Sequence, residues 1–142
     1  GMTKRFFLEG RLTATAFAEA DTTARAEIEP IADAFHRERW KAAFASSGTA
    51  LALAEILEQN GLSAAGITPD GLARLRKRMI GSGHVDRLRL AALKPERAPV
   101  LAGGLAIMAA AMTRIPSPSR CSDGLLGYAD SRSSCPVEPA RR

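Results

Sequence analysis

The sequence predicts an α/β fold that is dominated by helices and contains few strands. Apolar residues make up 46% of the 142 residues but aromatic residues only 5%, so Ala and Leu must fill most of the core, which favours helices. Apolar residues also recur at spacings of three and four, as they do on the buried face of a helix. The clearest strand is a short apolar run at residues 42–45.

The first long helix is predicted to begin after Thr13, whose hydroxyl is suited to cap it. Its buried face is predicted from the helical spacing of Phe17, Ala20, Ala24, Ile28, Ile31 and Phe35. Pro30 lacks a backbone N–H and should kink this helix or begin a second one. Ahead of the helix, Phe6 and Phe7 are expected to pack at the end of a strand.

The apolar run at residues 42–45 leads into a segment typical of a phosphate-binding loop. This segment consists of Ser46, Ser47, Gly48 and Thr49. Gly48 permits a tight turn, Thr49 is the predicted cap of the next helix, and that helix should end near Asn60. A helix N-terminus offers free N–H groups and a positive dipole end to an anion. An ordinary turn between a strand and a helix explains the same residues.

A further helix is predicted after Thr68, which caps it, with Pro69 at the first helical position and the segment Gly81-Ser82-Gly83 at its end. Its inward side chains are predicted to be Leu72, Leu75, Met79 and Ile80. Another short helix is expected after His84.

The last helical segment, residues 100–112, is apolar on all sides. A helix of this kind should lie at the centre of the fold. Gly103 and Gly104 are expected to be packing residues that let another backbone come close.

The formal net charge is +5, and the excess lies in residues 74–89, where Asp86 is the single acidic residue. The cations of this stretch, called the basic group below, are Arg74, Arg76, Lys77, Arg78, Arg87 and Arg89. They indicate an anionic partner, although a solvated helix face explains them equally well. Because no aromatic residues are interleaved with them, nucleic acid is disfavoured as that partner.

The sequence shows no run long enough to cross a bilayer and no signal-peptide pattern, so a cytoplasmic protein is expected. Cys121 and Cys135 have no histidines nearby, which predicts free thiols. From Pro116 onward, Pro, Ser and Arg are frequent. We therefore expect one domain at residues 1–115 and a divergent tail at residues 116–142.

Several segments, in matching order and spacing, resemble the Ppx/GppA family of exopolyphosphatases and guanosine pentaphosphate phosphohydrolases. These segments are residues 3–7 with 10–13, 46–49, 66–68 with 71–72, and 93–107. The last is the most specific and reads LKPERAPVLAGGLAI. The resemblance covers residues 2–115 and implies part of the second ribonuclease-H-like lobe of an actin-like ATPase superfamily protein.

The resemblance implies hydrolysis of a terminal phosphoanhydride of polyphosphate or guanosine pentaphosphate, with magnesium. It also implies that Ser46, Ser47, Gly48 and Thr49 face the phosphate-binding cleft. Arg97 would be a phosphate clamp, with a salt bridge to a neighbouring carboxylate as the alternative, and the basic group would steer a polyanion. The family's water-orienting carboxylate and its other phosphate loops lie upstream of Met2, so no catalytic residue or magnesium ligand is expected in this chain.

The main hypothesis is therefore a C-terminal fragment of such a hydrolase, incomplete and inactive alone, that pairs with a complementary first lobe or forms a homo-oligomer. The alternative is a non-catalytic polyanion-binding or assembly module, whose binding would fall steeply with salt. A third interpretation is a truncated product without a function, in which the helical face at Phe17, Ile28 and Phe35 is partly uncovered.

Overall fold

The computed structural model describes residues 1–35 and 47–115. Helical residues make up 76% of them, which confirms the helix-dominated prediction. The α-helices of the described residues are α1 (Met2–Phe6), α2 (Ala14–Ala32), α3 (Gly48–Gln59), α4 (Pro69–Ser82) and α5 (Ala98–Arg114). Within these residues, an isolated bridge joins Arg11 to His84, and Ile67 is also a bridge residue. The predicted strand at residues 42–45 lies outside the described residues.

Helix α5 lies at the centre and packs against α1, α2, α3 and α4, as its apolar sequence predicts. Its buried residues are Leu101, Ala102, Gly103, Leu105, Ala106 and Ala110. Val100 and Ile107, by contrast, are 49% and 46% exposed. The described helices therefore cover most of α5 and leave one strip of it open.

The glycine pair of α5 allows two other helices to approach closely. A Cβ atom on Gly103 would meet the backbone nitrogen of Thr3 in α1 at 2.9 Å. A Cβ atom on Gly104 would collide with the methyl group of Thr49 in α3. The prediction that both glycines serve packing is therefore confirmed.

Helix α2 begins as predicted, since the Thr13 hydroxyl accepts a hydrogen bond from the Ala16 N–H at 3.1 Å. Phe17 is buried, and its ring meets the Phe7 ring edge to face with centroids 4.8 Å apart. Phe6 ends α1, so the prediction of a strand end at Phe6 and Phe7 is wrong. Burial of Phe7 against Phe17 overrides the strand preference of the two aromatic residues.

The second half of α2 departs from the predicted buried face. Pro30 lies inside α2, which continues to Ala32 and then tightens into a 3-10 turn at Asp33–Phe35. Ile31 and Phe35 are 53% and 46% exposed, whereas Phe17 is 1% exposed. The helical spacing thus predicts a buried face that extends further along α2 than the described residues cover it.

Helices α3 and α4 end where their sequences predict. Asn60 follows the last residue of α3, and Gly83 ends α4 with a φ of +71°, a conformation that glycine adopts without strain. The Thr68 hydroxyl accepts a hydrogen bond from the Gly71 N–H at 3.0 Å. The inward residues Leu72, Leu75 and Met79 are buried, and Ile80 is half-buried. The short helix expected after His84 is a 3-10 turn, Val85–Arg87.

His84 joins the end of α4 to the N-terminal segment. Its Nδ1 accepts a hydrogen bond from the Asp86 N–H at 3.1 Å, so in the neutral ring the proton lies on Nε2. Nε2 then donates to the Glu9 carbonyl at 2.6 Å, and the Leu12 N–H donates to the Gly83 carbonyl at 2.9 Å. These contacts fix the segment that contains Arg87 against the core.

Candidate functional site

The first turn of α3 has the geometry of an anion site. Ser47 is its N-cap: the backbone is extended, and the hydroxyl accepts a hydrogen bond from the Ala50 N–H at 3.1 Å. The prediction that Thr49 caps the helix is wrong, because α3 begins at Gly48 and the Thr49 methyl group packs against Gly104. The N–H groups of Gly48 and Thr49 precede the first intrahelical bond and have no acceptor within the described residues.

These two N–H groups lie near solvent. Ser47 and Gly48 are exposed, and Thr49 is half-buried. The macrodipole of the 12-residue helix places a partial positive charge at this end. Ser46, the remaining residue of the predicted loop, lies outside the described residues.

Arg97 reaches this helix end from another element. It closes the 3-10 turn Pro95–Arg97 and immediately precedes α5. Its half-buried side chain donates a hydrogen bond from Nη1 to the Gly48 carbonyl at 3.0 Å. Within the described residues Arg97 forms no ion pair, so the salt bridge considered as its alternative role is not seen there. The structure thus brings Arg97 together with Ser47, Gly48 and Thr49.

Gly48 is the residue that permits this contact. A Cβ atom at Gly48 would lie 3.3 Å from both Nη1 and Nη2 of Arg97, closer than most real contacts allow. The missing side chain lets the guanidinium lie flat against the first turn of α3. Residue spacing does not indicate this pairing, because the two residues are 49 positions apart, whereas the family resemblance assigns both to the phosphate-binding cleft.

The electrostatics of this contact favour an anion. A cation at a helix N-terminus faces the positive end of the macrodipole, an arrangement that is unfavourable by roughly 0.3–1 kcal/mol. Arg97 lies at the start of two helices, α3 and α5. A phosphate bound here would interact favourably with the guanidinium and with the N–H groups of Gly48 and Thr49.

The basic group lies elsewhere. Five of its members are exposed: Arg74, Lys77, Arg78, Arg87 and Arg89. Arg76 is half-buried, with its guanidinium 5.5 Å from the centroid of the Phe17 ring. Arg74 donates to the Gly61 carbonyl at 3.4 Å, just beyond the C-terminal end of α3. Since α3 has 12 residues, Arg74 lies about 18 Å from Gly48 along this helix.

Asn60 is a positioning residue that the sequence analysis missed. Its side-chain amide donates to the Ala91 carbonyl at 3.0 Å and accepts from the Ala91 N–H at 3.1 Å. This two-bond contact holds the segment after Arg89 against the end of α3. In the sequence, Asn60 indicates only a helix end, because its partner is 31 residues away.

No three His, Cys, Asp or Glu side chains lie together as a metal site in residues 1–35 and 47–115. A magnesium ion that is held by one or two carboxylates together with substrate phosphates does not require such a cluster. Cys121 and Cys135 lie outside the described residues.

An open groove lies at the other end of α5 from Arg97. It is lined by Asp21, Thr22, Arg25, Ala26, Glu29 and Arg114. Its charges pair with each other, Arg25 with Asp21 at 2.9 Å and Arg114 with Glu29 at 3.1 Å. The groove contains none of the predicted site residues.

None of the helices in the described part of the chain is long and apolar enough to cross a membrane. The cytoplasmic location stays a prediction from the sequence.

The comparison with protein families agrees with the resemblance seen in the sequence. The model of the Ppx/GppA phosphatase family matches residues 1–123. The matched part contains the first turn of α3, Arg97 and the whole basic group. The match extends beyond residues 2–115, over which the motifs resemble the family. The chain therefore belongs to the Ppx/GppA phosphatase family.

Proposed function

We propose that this chain supplies the second-lobe side of a phosphoanhydride hydrolase site, with Ser47, Gly48, Thr49 and Arg97 as its phosphate-binding residues. The lobe is of the ribonuclease-H-like type implied by the family resemblance, and its partner is a first lobe that carries the water-orienting carboxylate. On its own, the chain releases little or no phosphate. Ser46 belongs to the same loop by sequence.

The observation that carries this proposal is the hydrogen bond from Arg97 to the Gly48 carbonyl. It places a guanidinium against Gly48, in the first turn of α3, where the N–H groups of Gly48 and Thr49 have no acceptor within the described residues. Arg97 uses one of its five N–H donors in this bond, and in the described residues the others have no acceptor. Because the chain belongs to the Ppx/GppA phosphatase family, we expect the bound anion to be a phosphoanhydride.

The chemistry assigned to these residues is electrostatic. Water attacks the terminal phosphorus, and the bond from this phosphorus to the bridging oxygen breaks. The products are inorganic phosphate and a substrate that is shorter by one phosphate. Negative charge develops on the bridging and equatorial oxygens during this displacement. Fixed donors at Gly48, Thr49 and Arg97 would stabilise that charge without reorganising, which is the main source of catalysis in such sites.

Exposed apolar residues near Arg97 support a covering partner. Val100 follows Arg97 by three positions and is 49% exposed, and Ile107, two helical turns further along α5, is 46% exposed. Both lie on one face of the central helix, where the described residues leave them uncovered. We propose that a first lobe covers this face. The alternative is that a second copy of the chain covers it.

Magnesium, implied by the family, enters the proposal only as a component that accompanies the phosphate substrate. The described residues contain no cluster of three His, Cys, Asp or Glu side chains, and the roles given to Ser47, Gly48, Thr49 and Arg97 are those of protein groups alone. Both polyphosphate and guanosine pentaphosphate end in a phosphoanhydride that these groups would bind.

The test combines the full chain with a separately produced first lobe of the family and measures phosphate release from long-chain polyphosphate with magnesium. The chain alone should be nearly inactive, and the mixture active. Arg97→Ala should lower the rate of the mixture about 100-fold, the loss typical of removing one donor to developing charge. Gly48→Asp should abolish activity, because its carboxylate would neutralise Arg97 and repel phosphate.

Lys94→Ala is the matched control. Lys94 is exposed, lies three residues before Arg97 and carries the same charge, yet its side chain takes part in no ion pair of the described residues and does not line the Cβ position of Gly48 as Arg97 does. The control should keep at least half of the activity. An inactive mixture of folded lobes, or equal losses for Arg97→Ala and Lys94→Ala, would contradict the proposal.

A non-catalytic polyanion-binding or assembly module is the second candidate function. The observation in its favour is that the basic group forms no ion pair with a carboxylate of the described residues. The same mixing experiment separates the two candidates. A module of this kind would bind polyphosphate tightly, and no first lobe would make it release phosphate.

A further inference from the structure

We infer that the exposed members of the basic group form a second surface, which binds inorganic polyphosphate away from the phosphate site at the start of α3. These residues, called the α4 surface below, are Arg74, Lys77, Arg78, Arg87 and Arg89. The inference rests on the proposed function and deepens it, since it selects polyphosphate from the two substrates of the family.

The helical part of this surface is one continuous face. Arg74, Lys77 and Arg78 are spaced by three and four positions, so they are neighbours on the outside of α4. Leu75 and Met79, on the other side of the helix, are fully buried. Arg76 is directed onto the ring of Phe17 and is not part of the surface.

The remaining part of the surface, Arg87 and Arg89, is held near the C-terminal end of α3, as Arg74 is. Arg74 donates to the carbonyl of Gly61, directly after Asn60. Asn60 binds both backbone groups of Ala91, two residues after Arg89. The two ends of the basic stretch are therefore tied to adjacent residues, and their charges are brought to one region of the molecule.

This positive charge is not neutralised within the described residues. The ion pairs there involve Arg11, Arg25 and Arg114, and His84 would pair with Asp86 only if protonated; none of these cations belongs to the surface. Arg89 is held by Nη1 contacts to the carbonyls of Asp86 and Leu88, both at 3.0 Å, and its other N–H groups have no acceptor among the described residues. A polyanion would relieve the mutual repulsion of these cations.

The chemistry of the surface favours polyphosphate over nucleic acid. The aromatic ring that touches the basic group, Phe17, is 1% exposed and lies beneath Arg76, so it offers no stacking face to a base. The distance from Gly48 to Arg74, about 18 Å along α3, also favours polyphosphate over guanosine pentaphosphate as the substrate. A long polyphosphate can contact both sites at once, whereas the short phosphate arms of a guanosine nucleotide bound at Gly48 cannot.

The test measures equilibrium binding of long-chain polyphosphate to the full chain without magnesium, at a series of salt concentrations. The variant Lys77→Gln with Arg78→Gln removes two exposed charges and should weaken binding about tenfold at low salt. It should also reduce the slope of log affinity against log salt by about 1.4, if each cation contributes roughly the 0.7 found for single-stranded nucleic acids. Arg74→Gln with Arg89→Gln should act similarly.

The matched control is Lys4→Gln with Arg5→Gln, which removes two exposed charges from α1. It should weaken binding less than twofold. An equal loss in this control would show that net charge alone attracts the polyanion and would overturn the inference. Binding of a single-stranded oligonucleotide of the same charge, as tightly as polyphosphate, would overturn it in favour of a nucleic-acid surface.

The binding experiment is independent of catalysis. A chain that binds polyphosphate through the α4 surface but releases no phosphate with a first lobe would contradict the proposed function and support the surface. Suppose instead that the chain releases phosphate with a first lobe and binds polyphosphate equally well after Lys77→Gln with Arg78→Gln. This result would contradict the inference about the α4 surface and leave the proposed function standing.

Discussion

Arg97 and the α4 surface carry the same kind of charge in opposite surroundings. Arg97 is half-buried, bonded to the Gly48 carbonyl and packed only 3.3 Å from the position that a Cβ atom at Gly48 would take. The arginines and lysine of the α4 surface are exposed and have no carboxylate partner among the described residues. The comparison separates the two roles proposed for positive charge: fixed donors would orient one phosphate, and a group of exposed cations would attract a long polyanion.

The largest effect is expected from a substitution that disturbs the packing of α3 against α5 near Arg97. Gly104→Ala should destabilise the chain by about 2 kcal/mol, because the new methyl group collides with Thr49 and pushes α3 away from α5. Urea unfolding measures this change. Gly81→Ala is the control: Gly81 lies in α4 with open space around its Cα, so this change should stabilise by about 0.5–1 kcal/mol. Equal effects of the two changes would show that close packing at Gly104 is unimportant.

A second variant tests whether Arg97 acts through its shape or only through its charge. Arg97→Lys keeps the charge but loses the planar fork that can bond the Gly48 carbonyl and a phosphate together. Phosphate release by the recombined lobes should fall about tenfold, equivalent to about 1.4 kcal/mol. Full activity in Arg97→Lys would mean that a diffuse charge is sufficient at this position.

Asn60→Ala should affect the α4 surface and spare the site at α3. It removes two hydrogen bonds to Ala91 and should cost about 1 kcal/mol of stability. Polyphosphate binding should weaken, since Arg89 is no longer held near Arg74, while the effect of Arg97→Ala on phosphate release stays the same. Gln59→Ala, at the neighbouring exposed position, is the control for both measurements.

The smallest effect is expected from the same kind of substitution, arginine to lysine, on the α4 surface. Arg74→Lys with Arg78→Lys keeps both charges on the exposed face of α4, where neither guanidinium has a carboxylate partner in the described residues. Polyphosphate affinity should change less than twofold, because a diffuse surface depends on charge and not on fork geometry. A tenfold loss would show that these arginines make specific contacts, like those assigned to Arg97.

The sequence predicts the parts of the fold that depend on local chemistry. The cap at Thr68, the helix end at Gly83 and the central position of α5 follow from residue type and spacing alone, and the structure confirms them. Phe6 and Phe7 were predicted at a strand end, and the error arises because their burial depends on Phe17, which the strand propensity of two residues does not reveal.

The local structure around the candidate site differs from its prediction for the same reason. Ser47 and Thr49 are equally good caps by residue type, and contact of Thr49 with Gly104 decides between them. The outward prediction for Arg76 misses its contact with Phe17, because helical spacing does not show which neighbour lies beside α4. Pairing of Arg97 with Gly48 and of Asn60 with Ala91 joins residues far apart in the chain, so composition and spacing do not indicate either.

The most direct test of the account is the response of backbone amide signals of the full chain to inorganic pyrophosphate, followed by nuclear magnetic resonance. Pyrophosphate is too short to bridge the two regions, so it should shift the amides of Gly48 and Thr49, and Arg97→Ala should remove these shifts. Long polyphosphate should add shifts at residues 74–89. Pyrophosphate shifts confined to residues 74–89, or shifts at Gly48 that persist in Arg97→Ala, would contradict a phosphate site built from Arg97 and the start of α3.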